Sequence, residues 1–219
     1  MTPTEERQIS AAIGVARAAF AGWSATAVED RVRLLRGLES HYRAEKENIA
    51  REISVETGKP LWESRQEVDS MANKVPISIE AYNQRCGEQS RALADATGFT
   101  RFRPHGVLVV LGPFNMPGHL PNGHIVPAVL AGNTIVLKPS ELTPDSGEIF
   151  ARAFAAAGFP RGVFNLVQGG KETGALLARH PDVNGVLFTG STAGGIALRR
   201  LCADQPGKIW RWRWGGTIR

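Results

Sequence analysis

Cysteine is scarce in this sequence of 219 residues, and neither Cys86 nor Cys202 stands in a spacing typical of metal ligands. A disulfide framework is therefore excluded, and no metal site is predicted. The chain also lacks an apolar run of roughly 20 residues, the length needed to cross a bilayer. Residues 1–7 are polar and contain no apolar segment of a signal peptide. These absences predict a cytoplasmic protein without a membrane partner.

Acidic residues are missing from the last ten positions, where Arg211, Arg213 and Arg219 carry three of the five net positive charges of the chain. Residues 1–209 then have a net charge of only +2, so no nucleic-acid partner is expected. The content of 42% hydrophobic and 21% charged residues is that of a globular protein. A chain of this length suits one or two domains with a buried core.

The first part of the chain, residues 1–96, shows the apolar spacing of helices. Thr4 is a candidate N-cap of a first helix. A second apolar run over residues 32–53 ends at the stop signal Gly58, and a third helix is predicted from Pro60. This part is therefore predicted to be a helical segment.

In the second part, residues 97–209, short apolar segments alternate with helical ones. The predicted strands cover residues 97–103, 107–111, 134–137, 164–167 and 186–188. The predicted helices lie near residues 118–131, 145–157 and 171–179, with Thr143 as a candidate cap of the second. Apolar strands separated by helices indicate a parallel sheet covered on both faces, so the fold class is α/β.

Parallel sheets bind ligands at the carboxyl ends of their strands, and those ends here carry glycine, hydroxyl and charged residues. The loop at residues 190–195, Gly-Ser-Thr-Ala-Gly-Gly, opens a helix and can hold a pyrophosphate, although such a turn is also common without a ligand. Lys138 and Glu141 can clamp a ribose, or form a structural turn. The Gly-X-Gly-X-X-Gly fingerprint is absent, which disfavours an ordinary Rossmann dehydrogenase.

Five motifs, in a consistent order, resemble the NAD(P)-dependent aldehyde dehydrogenase superfamily over nearly all of residues 5–209. They are Phe-Arg-Pro-His-Gly-Val at 102–107, Gly-Pro-Phe-Asn-Met-Pro at 112–117, Pro-Ala-Val-Leu-Ala-Gly-Asn-Thr at 127–134, Lys-Pro-Ser-Glu-Leu-Thr-Pro at 138–144 and Phe-Thr-Gly-Ser-Thr at 188–192. Residues 118–125 and 165–170 resemble the branch of that family named for N-succinylglutamate 5-semialdehyde, an intermediate of arginine catabolism. The resemblance implies N-terminal helices and a Rossmann-like NAD-binding region, without the catalytic domain.

The resemblance also implies a role for each matching residue. Asn115 corresponds to the catalytic asparagine that holds the oxyanion. The implied NAD contacts are Phe114, Lys138, Ser140, Glu141, Gly170, Gly190, Ser191, Thr192, Ala193, Gly194 and Gly195. The implied lining of the aldehyde tunnel is Met116, Leu120 and Gly123, where the lack of a side chain at Gly123 suits a long substrate. Glu141 favours NAD because its carboxylate would face a 2′-phosphate.

The family reaction needs a cysteine nucleophile and a glutamate base, and neither is recognisable here. The glutamate of the family segment Leu-Glu-Met-Gly-Gly falls at Arg213, and both cysteines lack a suitable motif. Codons for Leu-Ala-Leu-Glu-Met-Gly-Gly-Asn-Asn-Pro, read one base later, encode Trp-Arg-Trp-Arg-Trp-Gly-Gly-Thr-Ile-Arg, the sequence of residues 210–219. We interpret these residues as an aberrant, frameshifted tail and expect this chain to be inactive alone.

Two other functions stay open at this stage. The alternation of Trp and Arg in residues 210–219 is typical of a surface that binds membranes or single-stranded nucleic acid. A second alternative is an NAD-binding protein without catalysis. The family forms homo-oligomers, but the elements that assemble them are not recognisable here, and an uncovered sheet edge predicts poor solubility.

Overall fold

The computed structural model describes the backbone of residues 3–214 and the side chains of residues 6–213. Four helices come first: α1 (Pro3–Ala25), α2 (Val28–Ala44), α3 (Lys46–Thr57) and α4 (Leu61–Arg85). A small antiparallel hairpin follows, formed by β1 (Gln89–Ala92) and β2 (Thr97–Thr100). The remaining elements are β3 (Val107–Leu111), α5 (His119–Leu130), β4 (Thr134–Lys138), α6 (Pro144–Ala156), β5 (Phe164–Leu166), α7 (Lys171–Arg179), β6 (Gly185–Gly190), α8 (Thr192–Leu201) and β7 (Ile209–Trp214).

The helical prediction for the first part is confirmed with two changes. The second apolar run forms two helices, because the chain turns at Glu45 (φ −93°, ψ 14°) between α2 and α3. The first helix begins at Pro3, so Thr4 lies within it. Gly58 does end α3, in the left-handed conformation (φ 72°) that glycine adopts without strain.

The N-terminus of α6 has a cap that the sequence did not indicate. Thr143 occupies the cap position, but its side chain forms no cap hydrogen bond. Instead the carboxylate of Glu56, at the end of α3, accepts hydrogen bonds from the backbone N–H groups of Asp145 (2.6 Å) and Ser146 (2.9 Å). A carboxylate at this end of a helix is favoured by the helix dipole, so the contact joins the helical part to the sheet layer.

The five strands that follow the hairpin form one parallel sheet in the order β5-β4-β3-β6-β7. Every residue of β3 and β4 is buried, as their apolar runs at residues 107–111 and 135–137 predict. Alternate residues of β3 enter two core clusters: Leu108 and Val110 pack on one face of the sheet, and Val107 and Val109 on the other. Each such side chain contributes about 1.5–3 kcal/mol to folding.

The predicted boundary after residue 96 lies between two elements, whereas the predicted boundary after residue 209 lies inside one. The division after residue 96 separates β1 from its partner β2. The division after residue 209 falls inside β7, which pairs in parallel with β6 from Gly185↔Ile209 to Gly190↔Trp214. The part of the tail that the structure describes, residues 210–214, is therefore an outer strand of the sheet, and residues 215–219 lie outside the described part.

Within residues 3–214, no single helix combines the length and apolar composition that crossing a bilayer requires. The helices Glu6–Ala25 and Val28–Ala44 meet the requirements of length and composition only when they are counted together as one bent pair.

Candidate functional site

The carboxyl ends of β3, β4, β6 and β7 open into a cleft of about 1080 Å³. The loop after β3 supplies Phe114, Asn115 and Met116, and the turn after β4 supplies Ser140 and Glu141. The helices α7 and α8 form the opposite wall. This is the edge at which an open parallel sheet binds its ligand, and the cleft is large enough for a dinucleotide rather than a small metabolite.

The structure brings most of the predicted site residues to this cleft. Its lining includes Phe114, Asn115, Met116, Leu120, Lys138, Ser140, Glu141, Gly190, Ser191 and Gly194. Four predicted cofactor contacts do not line it: Gly170, Thr192, Ala193 and Gly195. Gly195 is buried in the first turn of α8, where its N–H donates to the carbonyl of Ser191 (3.0 Å). Gly123 lines a second, smaller cavity instead.

Lys138 and Glu141 lie close together, but they do not both offer a free polar group to the cleft as a clamp on a ribose would require. The ammonium of Lys138 is buried and donates to the carbonyl oxygens of Pro139 (2.7 Å) and Gly169 (2.8 Å). It lies 3.5 Å from the carboxylate of Glu141, whose side chain is 46% exposed. Glu141 is therefore the member of the pair that can accept a hydrogen bond from a ligand, while Lys138 holds the turn in place.

The charge state of this pair follows from its surroundings. A hydrogen bond from its own backbone is the largest cause that lowers the pKa of the Glu141 carboxyl group. Burial opposes this change, and the charges of Lys138 and Lys171 lower the pKa further. Burial lowers the pKa of Lys138, and the carboxylate of Glu141 opposes that change. At neutral pH the cleft thus presents an ionised carboxylate beside β4.

The N-terminus of α8 forms the far side of the cleft. Ser191 caps this helix, because its hydroxyl accepts a hydrogen bond from the N–H of Gly194 (3.1 Å). At the preceding position, a side chain on Gly190 would place its Cβ only 2.5 Å from the ring of Phe188. Glycine therefore keeps the backbone of this loop accessible at the positive end of the helix dipole.

A buried ion pair fixes the loop that carries Asn115. The carboxylate of Glu67, in α4, pairs with the ammonium of Lys59. Its other oxygen accepts hydrogen bonds from the N–H groups of Gly118 (2.8 Å) and His119 (2.9 Å). Lys59 in turn donates to the carbonyl oxygen of Asn115 (3.1 Å). The helical part of the chain thus sets the position of the loop while the side chain of Asn115 stays exposed.

Sequence reasoning missed several residues of the cleft wall. These are mainly the faces of α7 and α8 that meet the ligand space, with Lys171, Gly174, Ala175, Ala197, Leu198 and Leu201. Arg213 also lines the cleft, at the end of β7 and in register with Thr189. The sequence signal for the positions on α7 and α8 was their place on a helix that follows a strand, whereas Arg213 was already marked by its alignment with the family glutamate.

The fold and the cleft define an α/β protein that binds its ligand at the carboxyl edge of a parallel sheet. The sequence profile of the aldehyde dehydrogenase family matches residues 1–217. The chain therefore belongs to the aldehyde dehydrogenase family, as its motifs indicated.

Known relatives agree with this assignment. The chain is 50% identical over 210 residues to N-succinylglutamate 5-semialdehyde dehydrogenase of Ectopseudomonas mendocina (strain ymp), and 48% identical over 210 residues to the protein of that name from Pseudomonas fluorescens (strain Pf0-1). Each alignment covers 96% of this chain and 43% of the relative, so the chain spans less than half the length of these relatives.

Solved structures show the same relation. Indole-3-acetaldehyde dehydrogenase is similar with a TM-score of 0.92 and 28% identity, over 97% of this chain and 51% of that one. Lactaldehyde dehydrogenase is similar with a TM-score of 0.91 and 31% identity, over 97% of this chain and 45% of the other. The α/β fold predicted from the sequence is thereby confirmed.

Proposed function

We propose that this chain forms the NAD-binding part of an aldehyde dehydrogenase that oxidises N-succinylglutamate 5-semialdehyde to N-succinylglutamate. The observation that carries the proposal is the large cleft, where an exposed asparagine, an ionised carboxylate and a helix N-terminus meet at one sheet edge. The substrate is proposed from the two relatives of that name, which are 48–50% identical to this chain.

The chemical groups that line the cleft are of the kinds that a dinucleotide cofactor needs. Glu141 is ionised and exposed enough to accept hydrogen bonds from the two hydroxyls of the adenosine ribose. The first turn of α8 offers backbone N–H groups and a positive dipole end to a pyrophosphate. Bound NAD supplies the acceptor for the hydride that leaves the substrate. Because the carboxylate of Glu141 would repel a 2′-phosphate, NAD is preferred over NADP.

The exposed amide of Asn115 is the group placed to stabilise charge on the reacting aldehyde. Its Nδ2–H₂ donates a hydrogen bond, and a donor of this kind at a developing oxyanion contributes about 2.7–4 kcal/mol to catalysis. The pair Lys59–Glu67 holds the backbone of Asn115, so only the side-chain torsions of the amide have to be ordered when the aldehyde binds. Met116 and Leu120 also line the cleft and give it an apolar surface.

We propose further that these 219 residues alone do not turn over the aldehyde. Arg213 occupies the place in β7 where the family segment carries its glutamate, and a guanidinium is always protonated and cannot serve as a base. Neither cysteine is placed as a nucleophile. Cys202 is buried at the C-terminal end of α8, where burial raises the pKa of its thiol, and Cys86 ends α4.

The alternative of a free Trp/Arg binding segment has less support. Trp210 packs against the core cluster beneath the sheet, and its ring stacks on that of Trp212 with centroids 4.9 Å apart. Trp212 also meets Phe188 edge-on at 5.8 Å. Both rings are partly buried by these contacts, so they offer less free surface to a nucleobase or a lipid than an unpacked segment would.

Calorimetric titration of the purified chain with NAD and NADP tests the proposal. We expect one site per chain, with NAD at least tenfold tighter than NADP. The variant Glu141→Gln should weaken NAD binding and narrow that difference, whereas Glu148→Gln, an exposed carboxylate of α6, serves as the matched control. Absence of NAD binding, or equal binding by both variants, would contradict the cofactor assignment. Aldehyde oxidation by the chain alone would contradict the assignment of Arg213.

A further inference from the structure

The charged groups that line the large cleft are unevenly arranged. Its basic lining residues are Lys138, Lys171 and Arg213, and Glu141 is the acid among them. Lys138 lies 3.5 Å from the Glu141 carboxylate. A hydrogen bond from its own backbone lowers the pKa of Glu141 most, and the charge of Lys171 is among the further causes, so this lysine also acts on Glu141. Arg213 forms no ion pair with a carboxylate of residues 6–213, whose side chains the structure describes.

The strand order places Arg213 at the far end of the cleft from Glu141. The cleft runs across the carboxyl ends of the adjacent strands β4, β3, β6 and β7. Glu141 follows β4, Ser191 follows β6, and Arg213 lies in β7, in register with Thr189. Because adjacent strands are about 4.8 Å apart, β4 and β7 are separated by roughly 14 Å. A dinucleotide with its adenosine ribose at Glu141 and its pyrophosphate at α8 therefore extends its nicotinamide towards β7.

The surroundings of Arg213 do not neutralise its charge. The second, smaller cavity adjoins the cleft at this end, and Lys74, His119 and Arg213 are among its lining residues. Burial lowers the pKa of Lys74, and neighbouring guanidinium groups, including that of Arg213, lower it further. Burial also lowers the pKa of His119 against the charge of Glu67, but that carboxylate is already paired with Lys59. A partly enclosed cleft focuses such uncompensated charge, so its β7 end has a positive potential.

The two redox forms of the cofactor differ in charge at this end. The nicotinamide ring carries one positive charge in NAD and none in NADH, while the adenosine and pyrophosphate parts are identical. The guanidinium of Arg213 cannot lose its proton in a protein. Its repulsion of a second cation is stronger in a cleft than in free water, because the effective dielectric constant is lower there. Arg213 thus disfavours the oxidised ring and has little effect on the neutral, reduced one.

We propose that Arg213 makes this chain a binding module that prefers NADH to NAD. This inference rests on the proposed function, because it takes the cleft as the cofactor site. It goes beyond that function by assigning the preferred redox state of the bound cofactor to one residue of β7. The attraction of Arg213 for the pyrophosphate is common to both forms, so it cancels from the ratio of the two affinities. That ratio, compared between variants of Arg213, reports the interaction with the ring.

Calorimetric titration of the full chain with NAD and NADH at low ionic strength tests the proposal, with NADH fluorescence as a second readout. We expect NADH to bind at least fivefold more tightly than NAD. Arg213→Gln should reduce this preference at least threefold, whereas Arg213→Lys, which keeps a positive charge, should retain it within twofold. The matched control is Arg211→Gln, which removes a charge from the same strand at a residue that does not line the cleft. It should change the preference less than twofold.

ADP-ribose separates the effect on the ring from effects on the rest of the cofactor, because it has the same adenosine and pyrophosphate but no nicotinamide. In Arg213→Gln, the affinity of NAD relative to ADP-ribose should rise at least threefold, and that of NADH should stay within twofold. The inference is overturned if NADH and NAD bind equally, if Arg213→Gln leaves their ratio unchanged, or if Arg211→Gln lowers it as much. Absence of binding by all three ligands would instead contradict the cofactor assignment on which the inference rests, so the two failures are distinguishable.

Discussion

Removal of the charge of Glu67 should be among the most destabilising conservative changes in this chain. The variant Glu67→Gln keeps an oxygen to accept the hydrogen bonds of Gly118 and His119 but leaves the ammonium of Lys59 without its counter-charge. The side chains of Glu67 and Lys59 are 0% and 9% exposed, so water cannot replace the lost partner. Breaking one member of such a buried pair costs about 3–5 kcal/mol.

Urea unfolding followed by circular dichroism measures this cost directly. Domains of this kind have a free energy of unfolding of about 5–15 kcal/mol, so the expected loss is a large shift of the midpoint. The matched control is Asp69→Asn on the same helix, which removes the exposed pair with Lys46, where the two side chains are 34% and 45% exposed. That change should cost at most about 1 kcal/mol.

A double variant shows whether the charge itself is responsible. Lys59→Met combined with Glu67→Gln buries no unpaired charge, so it should be more stable than Glu67→Gln alone. The role of the charge is refuted if Glu67→Gln lowers the free energy of unfolding no more than Asp69→Asn does. It is also refuted if the double variant is less stable than both Glu67→Gln and Lys59→Met.

Three other changes have expected outcomes. Burial and then the charges of Arg211, Arg213 and Lys74 lower the pKa of His124 from 6.5 to about 4. As the pH falls, the unfolded chain therefore binds a proton at this histidine before the folded chain does. The stability present above pH 6.5 then decreases by up to about 3 kcal/mol towards pH 4. In His124→Gln, the free energy of unfolding measured across this range should not show that decrease. Ser191→Ala should cost about 1 kcal/mol through loss of the α8 cap, by thermal unfolding, and an unchanged midpoint would contradict the capping role. Gly123→Ala should stabilise α5 slightly, by about 0.5–1 kcal/mol, and a loss of stability would show that the space above it is not open.

The parallel sheet could be predicted because its strands carry their own signal. Residues 107–111 in β3 and 135–137 in β4 are apolar without interruption, as expected of strands buried on both faces. The hairpin strand β1 was missed for the opposite reason. All its residues are exposed, so the sequence Gln-Ser-Arg-Ala has no alternation to recognise. The turn at Glu45 was missed because neither glycine nor proline marks it, and the apolar spacing continues across it.

The site could be predicted only as far as motifs reach. Asn115, Glu141 and Ser191 lie directly after strands, so topology alone brings them to one edge. Lys59 and Glu67 lie in the helical part, about 50 residues before the loop that they hold, and no local pattern connects them. The grouping of basic residues in the second cavity depends likewise on the packing of α4 and α5 beside β7, which sequence spacing does not encode.

The most direct test of the account is a crystal structure of this chain grown with NAD. The account predicts the cofactor in the large cleft, with the hydroxyls of the adenosine ribose within hydrogen-bond distance of the Glu141 carboxylate. It also predicts the pyrophosphate against the first turn of α8, after Ser191. Cofactor density in the second, smaller cavity beside Gly123, or at any surface away from the carboxyl edge of the sheet, would contradict the central claim.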